Sequence, residues 1–377
     1  MVDSGFDSNF SLCSLVCACE TTKGIKSEMR VMQVLGSAAQ GGAEGFFERL
    51  VLALHRAGVM QHTLIRPSAE REAILKAGGL EPALAPFGGV FDFQTPGIFR
   101  REIAKFRPDI VFTWLNRASA AAPKGKFVHV ARMGGYYDLK YYRSADHLIG
   151  NTQDIRDYLV AKGWPAERAH YVPNFVDGGE AAPEPRARHR TPEDVPLVLA
   201  LGRLHENKAF DVLLRSFPAV PRAHLWIAGT GPEHDKLLAL LEAHDLKDRV
   251  HLLGWRRDVA KLFAACDVFV CPSRHEPLGN VVLEAFAHSR PVVAARSQGP
   301  GMLIEDGKSG LLVPVDDQSA LAAALTRMID DTGLRARCAA EAHKIWRTKY
   351  SEDVVVRQYI ELFQSFLAPV RAPSFAG

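Results

Sequence analysis

The sequence predicts an α/β protein of two doubly wound parallel-sheet domains facing a cleft. Three observations lead there. Short apolar strand-like runs alternate with stretches at helical spacing, the pattern of a parallel sheet covered by helices. The alternation is lost between Gly178 and Pro196 and then restarts. The chain has 377 residues, long for one ordinary domain and comfortable for two of roughly 100–200 residues. At 47% hydrophobic and 24% charged residues it can bury a sizeable core. A net charge of +3 is too small to point to nucleic acid as a partner.

The first domain is expected over residues 29–177. Arg30–Leu35 reads as a buried strand, and Gly36 to Gly42 as a small-residue loop. A helix follows with Phe46, Phe47, Leu50, Val51 and Leu54 at helical spacing and Gly58 as its stop. Thr63–Ile65 is the next strand. A helix from Ile98 to Phe106 ends at Arg107-Pro108, and strands follow at Asp109–Trp114, Phe127–Ala131 and His147–Asn151. A helix with Ile155, Leu159 and Val160 closes this half. Residues 178–195 hold Gly178-Gly179, Pro183, Pro185, Pro192 and a basic run from Arg186 to Arg190, and read as an exposed linker. The second domain, 196–345, has strands at Leu197–Gly202, His224–Ala228, Val250–Leu253, Val268–Cys271 and Val292–Ala294. Residues 346–377 carry a last helix, with Val355, Tyr359, Leu362 and Phe363 on one face, expected to cross back to the first domain.

Residues 1–28 are read as a disordered extension, a tag or a misassigned start. The apolar run Phe10–Cys19 is far shorter than the ~20 residues that span a bilayer. Asp3 and Asp7 stand where a secretory signal carries Lys or Arg. Of the six cysteines none sits in a paired C-x-x-C pattern, and Cys266 and Cys271 lie in strand-like sequence as buried thiols. A reducing cytoplasm is the expected compartment.

The densest chemistry lies in Pro272–Ala285, where a buried strand enters a helix. Glu276 precedes the helix, where free backbone N–H groups and the positive dipole end gather. Glu284 lies inside it among Val281, Val282, Leu283, Ala285 and Phe286, a setting in which a carboxylate needs a partner. A helix start at Gly279 attracts phosphate, and two carboxylates can accept hydroxyls of the same molecule. Together these fit a nucleotide sugar; the plainer alternative is a capping Glu276 and a surface Glu284. A second strand-to-helix junction, Leu201–Asp211, carries Arg203 and Lys208, which can neutralise a diphosphate without a metal. No D-x-D pair, the usual acidic anchor for a metal-bound nucleotide sugar, occurs in the chain.

On these residues the chain resembles the retaining glycosyltransferases of family 4, which have the GT-B architecture of two Rossmann-like domains. The resemblance is densest from Leu197 to Pro314: Gly202-Arg203 with Lys208, Ala228–Pro232, Leu253-Gly254, Asp267–Val270, Pro272-Ser273, the Glu276-to-Glu284 element, Arg290–Ala294 and Gly307–Val313. The first domain fits more loosely, through Gly41–Glu44, Asn151-Thr152 and Pro173–Asp177. The resemblance implies that Arg203 and Lys208 hold the donor diphosphate, Glu276 meets the transferred sugar and Glu284 the ribose. Leu253 and Gly254 would lie by the base, and Leu278, Gly279 and Asn280 would complete the donor site. Gly41 and Gly42 would let the first loop approach the donor closely. The activity implied is transfer of a hexose-type sugar, with retention, from a UDP or GDP sugar to a glycan or lipid-linked acceptor. No cofactor and no metal are expected. The Glu276-Pro277-Leu278-Gly279-Asn280 style is closest to enzymes of bacterial lipopolysaccharide and envelope polysaccharide synthesis.

Two departures stand out. Many members read E-G-F-G where this chain has Glu276-Pro277-Leu278-Gly279. Many place a His after the strand matched by Phe127–Ala131, where this chain has Arg132-Met133-Gly134-Gly135; His129 is expected in the core. The acceptor-side candidates are therefore Asn116, Arg132, Met133 and Gly134. Arg100, Arg101, Lys105 and Arg107 surround the Ile98–Phe106 helix, which reads either as a solvated amphipathic helix or as a face for an anionic membrane or lipid-linked acceptor, at the inner face of the plasma membrane. Alternatives in function are a GT-B epimerase or phosphorylase relative and a non-catalytic nucleotide-sugar-binding protein. A dinucleotide oxidoreductase lacks its G-x-G-x-x-G fingerprint here.

Overall fold

A computed structural model describes residues 29–39, 41–89 and 91–368. The reading of residues 1–28, with Cys13, Cys17 and Cys19, lies outside the described residues. Cys266, Cys271 and Cys338 are buried free thiols.

The N-terminal domain runs β1 (Arg30–Leu35), α1 (Gly42–Arg56), β2 (Met60–Ile65), α2 (Ala69–Ala77), β3 (Ala83–Leu84), α3 (Thr95–Phe106), β4 (Ile110–Trp114), α4 (Leu115–Ala121), β5 (Val128–Met133), β6 (His147–Gly150), α5 (Gln153–Ala161) and β7 (Ala169–Tyr171). The C-terminal domain runs β8 (Leu197–Leu201), α6 (Phe210–Ser216), β9 (His224–Ala228), α7 (His234–Ala243), β10 (Val250–Gly254), α8 (Val259–Ala265), β11 (Val268–Cys271), α9 (Asn280–Ala287), β12 (Val292–Ala295), α10 (Gln298–Leu303), β13 (Leu311–Val313), α11 (Gln318–Asp330) and α12 (Thr332–Ile345). A last helix, α13 (Glu352–Leu367), follows.

Central strands such as β4 and β8 are buried along their whole length, as parallel strands covered on both faces must be. The sheet orders are β3-β2-β1-β4-β5-β6-β7 and β10-β9-β8-β11-β12-β13, all pairs parallel. Strand order therefore reverses between β1 and β4 in one sheet and between β8 and β11 in the other. A crevice opens beyond the carboxyl ends of the strands at such points, and ligands bind there.

The chain passes between domains twice, and the two passes are fastened together. Trp346 donates its indole N–H to the Val176 carbonyl at 3.1 Å, and the Val176 N–H reaches the Tyr350 carbonyl at 3.4 Å. Beyond them α13 buries Val355, Val356, Tyr359, Ile360 and Phe363 in the N-terminal core beside Phe46, Phe112 and Trp114.

The segment from 178 to 195 is exposed over most of its length, as its prolines and charges predict, but it is not free of the domain beside it. Glu184 and Thr191 are buried. The Glu184 carboxylate pairs with Arg256 at 3.1 Å, and Thr191 accepts the indole N–H of Trp226 at 2.9 Å. Arg186 donates to the Ala265 and Val195 carbonyls and to Asp267. Apart from the Val195 carbonyl, these partners lie 35 to 81 positions away in the C-terminal domain, which fixes the segment to it.

Candidate active site

The site is built at the β8/β11 switch point from two loops stitched to each other. After β8, Gly202–Ala209 turns into α6; after β11, Pro272–Gly279 turns into α9. The His275 N–H meets the Asn207 carbonyl at 3.2 Å, and Arg274 donates to the Glu206 carbonyl at 2.8 Å while forking onto both oxygens of Asp211. Bidentate pairing of this kind fixes orientation as well as distance. Lys208 and Glu276 form an ion pair between the two loops.

Glycines let the backbones close up. Gly229 has φ +150°, and a Cβ there would fall on the Gly202 carbonyl oxygen. Gly279 caps α9 at φ +72°, the left-handed region that suits glycine. Gly299 lies under the Glu276–Gly279 turn and donates its N–H to the Glu276 carbonyl at 2.7 Å. In the N-terminal domain, a Cβ on Gly41 would stand 2.7 Å from the Glu44 carboxylate, whereas a Cβ on Gly42 would meet nothing within 4 Å.

A cavity of about 560 Å³ lies over the ends of β8 and β9, lined among others by Arg203, Thr230, Trp255, Arg256 and Glu284. Arg203 is exposed in its wall and has no side-chain partner among the described residues. Glu284 is half-buried and carries no side-chain hydrogen bond among the described residues. Burial pushes its carboxyl up to about 7; Arg49 of the facing domain works against this, and Asp177 and Glu276 add to it. A free cation and a carboxylate in search of a hydroxyl donor thus share one cavity, beside the Lys208–Glu276 pair.

Not every expected residue joins them. Leu278 and Asn280 face a separate cavity of about 60 Å³ against Asn151, Thr152 and Asn174 of the other domain. Leu253 faces the outer edge of the sheet near His251 and Lys247, and Gly254 accepts the Gly229 N–H through its carbonyl at 2.7 Å. Trp255 (60% exposed) and Arg256 line the cavity instead and were not singled out by sequence; Thr230, from the Ala228–Pro232 stretch, lines it with them. The available signal was an aromatic residue one step past a strand end.

On the facing domain a cavity of about 540 Å³ opens at the β1/β4 switch point, lined by Phe87, Asn116, Arg117 and Tyr141 among others. Leu115, at φ +64°, turns the chain sharply out of β4 and brings Asn116 and Arg117 to this cavity. Asn116 accepts the Tyr142 hydroxyl at 2.6 Å. Arg132 does not join it. Its guanidinium is buried, 4.6 Å from the Phe46 ring centroid and 4.8 Å from that of Trp114. It donates to the Tyr359 hydroxyl at 2.8 Å and to the Asn174 side-chain carbonyl. Asn174 in turn donates to Asn280, the first residue of α9, at 3.2 Å. Arg132 therefore links α13 and the interdomain crossing, and through Asn174 the start of the α9 helix. Met133 is fully buried, and Gly134 packs by Asn151 and Ala43. His129 is buried, with Nε2 2.9 Å from the Thr113 hydroxyl, and burial lowers its pKa. Among the described residues no group of three or more His, Cys, Asp or Glu is placed to hold a metal ion.

Two Rossmann-like domains, with a cation- and carboxylate-lined cavity at one switch point and a second cavity at the other, give the two-domain architecture that the resemblance to GT-B glycosyltransferases implies. The chain belongs to glycosyltransferase family 4. Residues 40–180 match the family model described as Glycosyltransferase Family 4, and residues 195–331 the model described as Glycosyl transferases group 1. It is 35% identical over 339 residues to the lipopolysaccharide core biosynthesis glycosyltransferase LpsE of Rhizobium meliloti, covering 86% of this chain and 96% of that one. It is 34% identical over 348 residues to LpsD of the same organism, covering 90% and 99%. Among solved structures, Anabaena HepE in complex with UDP superposes with a TM-score of 0.77 at 21% identity, covering 89% of this chain and 100% of that one.

Proposed function

We propose that this glycosyltransferase is a retaining, metal-independent hexosyltransferase that uses a nucleoside-diphosphate sugar to extend a lipopolysaccharide-type core glycan. The single observation that carries the donor half is one cavity at a switch point lined by Arg203 and Glu284, with the Lys208–Glu276 pair close enough to act electrostatically on Glu284. Donor entry divides the Lys208–Glu276 pair: the ammonium moves to the diphosphate and the carboxylate to a hydroxyl of the transferred sugar. Arg203 supplies the second cation, Glu284 takes ribose hydroxyls, and the open face of Trp255 receives the base.

The acceptor hydroxyl attacks the anomeric carbon from the face that the diphosphate leaves. The carbon–oxygen bond to phosphate breaks, the new glycosidic bond forms, and the acceptor proton passes to the departing phosphate. Arg203, Lys208 and the N–H groups at the start of α9 stabilise the charge that grows on that phosphate, with no metal needed. The names of LpsE and LpsD support the lipopolysaccharide core as the acceptor class, and the Anabaena HepE structures with UDP and UDP-glucose support a uridine donor.

The test is incubation with UDP- and GDP-hexoses and a deacylated lipopolysaccharide core, with the anomeric configuration of the product read by NMR. Retention with chelator present is expected, and Glu276→Ala should lose transfer while keeping its unfolding midpoint. Inversion, strict metal dependence or wild-type turnover in Glu276→Ala would overturn the assignment.

A further inference from the structure

One face of the N-terminal domain is built unlike the rest of the surface. Phe91 and Phe93 are 88% and 85% exposed, the most exposed large apolar side chains among the described residues. Their display is braced. Asp92 between them turns inward, its carboxylate accepting the backbone N–H groups of Gly88 at 2.7 Å, Gln94 at 3.0 Å and Thr95 at 2.9 Å. The two rings on either side are left facing solvent.

The loop runs directly into α3, whose solvent side carries Arg100, Arg101 and Lys105, with Arg107 at its end. The acid of that helix, Glu102, is turned inward, 6% exposed, 3.1 Å from His62 and 3.1 Å from the guanidinium of Arg101, which itself stays largely exposed. Phe127 packs in the same cluster as Ile98, Ile103 and Phe106, so the exposed Lys124 and Lys126 lie alongside. Paired aromatic rings next to cations, with no exposed carboxylate on the helix, match a lipid interface: rings enter the headgroup layer and cations meet anionic lipids. The 540 Å³ cavity opens at the root of this same loop, where Gly89, Asp92, Thr95 and Pro96 form one of its walls.

We propose that the Phe91–Phe93 loop and α3 dock on an anionic lipid surface, so that the adjoining cavity receives the glycan end of a lipid-linked acceptor. The acceptor part rests on the glycosyltransferase reading; the docking does not.

The test is co-sedimentation of the full chain with vesicles of phosphatidylcholine alone or mixed with phosphatidylglycerol. Binding is expected on the anionic vesicles only and should weaken with salt, because screening shortens to about 8 Å near physiological ionic strength. Phe91→Ser with Phe93→Ser should lower binding about tenfold or more. Arg100→Gln with Arg101→Gln should lower it about 25-fold, at about fivefold for each cation. Both variants should keep wild-type UDP-glucose binding and unfolding midpoints. Equal binding to phosphatidylcholine, or unchanged binding in both variants, overturns the proposal; the second outcome would place any attachment elsewhere, residues 1–28 included. A dimer that the Phe variant dissociates, with no effect on vesicles, also overturns it in favour of a second copy. Failure of the wild type to bind any nucleotide sugar would sink the glycosyltransferase reading and leave the vesicle result standing.

Discussion

Lowering the pH from 8 to 6 should weaken nucleotide-sugar binding about tenfold, because Glu284 takes up a proton in that window. Its carboxyl is pushed up to about 7 by burial between the domains, with Arg49 only partly compensating. The ionised form accepts ribose hydroxyls; the protonated form has lost that charge-assisted capacity. With a pKa of about 7, roughly nine-tenths of the molecules are ionised at pH 8 and roughly one-tenth at pH 6. If only the ionised form takes the ribose, apparent affinity changes about tenfold, near 1.4 kcal/mol. The sign follows from the direction of the shift. A raised acid is protonated below its pKa, so binding is lost as pH falls through about 7 and is fully present above it. Isothermal titration with UDP-glucose is the suitable assay, because its doubly esterified diphosphate has no proton to exchange in this range. Two buffers of different ionisation enthalpy should reveal about half a proton released per binding event at pH 7. Glu284→Gln should flatten the profile. A flat wild-type profile, or an unchanged slope in Glu284→Gln, would refute Glu284 as the ribose ligand.

Three further outcomes are expected. Lys208→Ala removes one charge-assisted contact to the diphosphate and should weaken UDP binding about 10- to 100-fold by titration, with the fold retained. Gly229→Ala places a Cβ on the Gly202 carbonyl at a backbone angle of φ +150°, so urea unfolding should show a loss of about 3 kcal/mol or more together with loss of nucleotide binding. Arg132→Met leaves the Tyr359 hydroxyl and the Asn174 carbonyl without their donor; a loss of about 2–4 kcal/mol in denaturant titration is expected, and a stability equal to wild type would exclude this linking role.

Much of the fold was legible because long buried strands and amphipathic helices announce themselves locally, as β1, α1, β4 and β8 do. Elements without such a signal escaped. β3 is two residues long, too short for any periodicity, and α4 begins at Leu115 with no glycine or proline to mark the turn. The candidate donor residues were legible for a different reason: strand-to-helix junctions combine free N–H groups with charged side chains in a short span of sequence, and Arg203, Lys208, Glu276 and Glu284 all lie in two such spans. Side-chain direction was not legible. Leu278 and Asn280 sit in the same span but turn toward the facing domain, which depends on how two distant segments dock. Arg132 shows the limit most clearly. Its partners lie 42 and 227 positions away, so its neighbours in sequence could not reveal a buried linking cation.

The most direct test of the central claim is a crystal structure with UDP bound. The diphosphate should lie between Arg203 and Lys208 at the start of α9, with the ribose on Glu284 and Lys208 released from Glu276. A nucleotide seated elsewhere, with Lys208 still paired to Glu276 and Glu284 facing solvent, would contradict it.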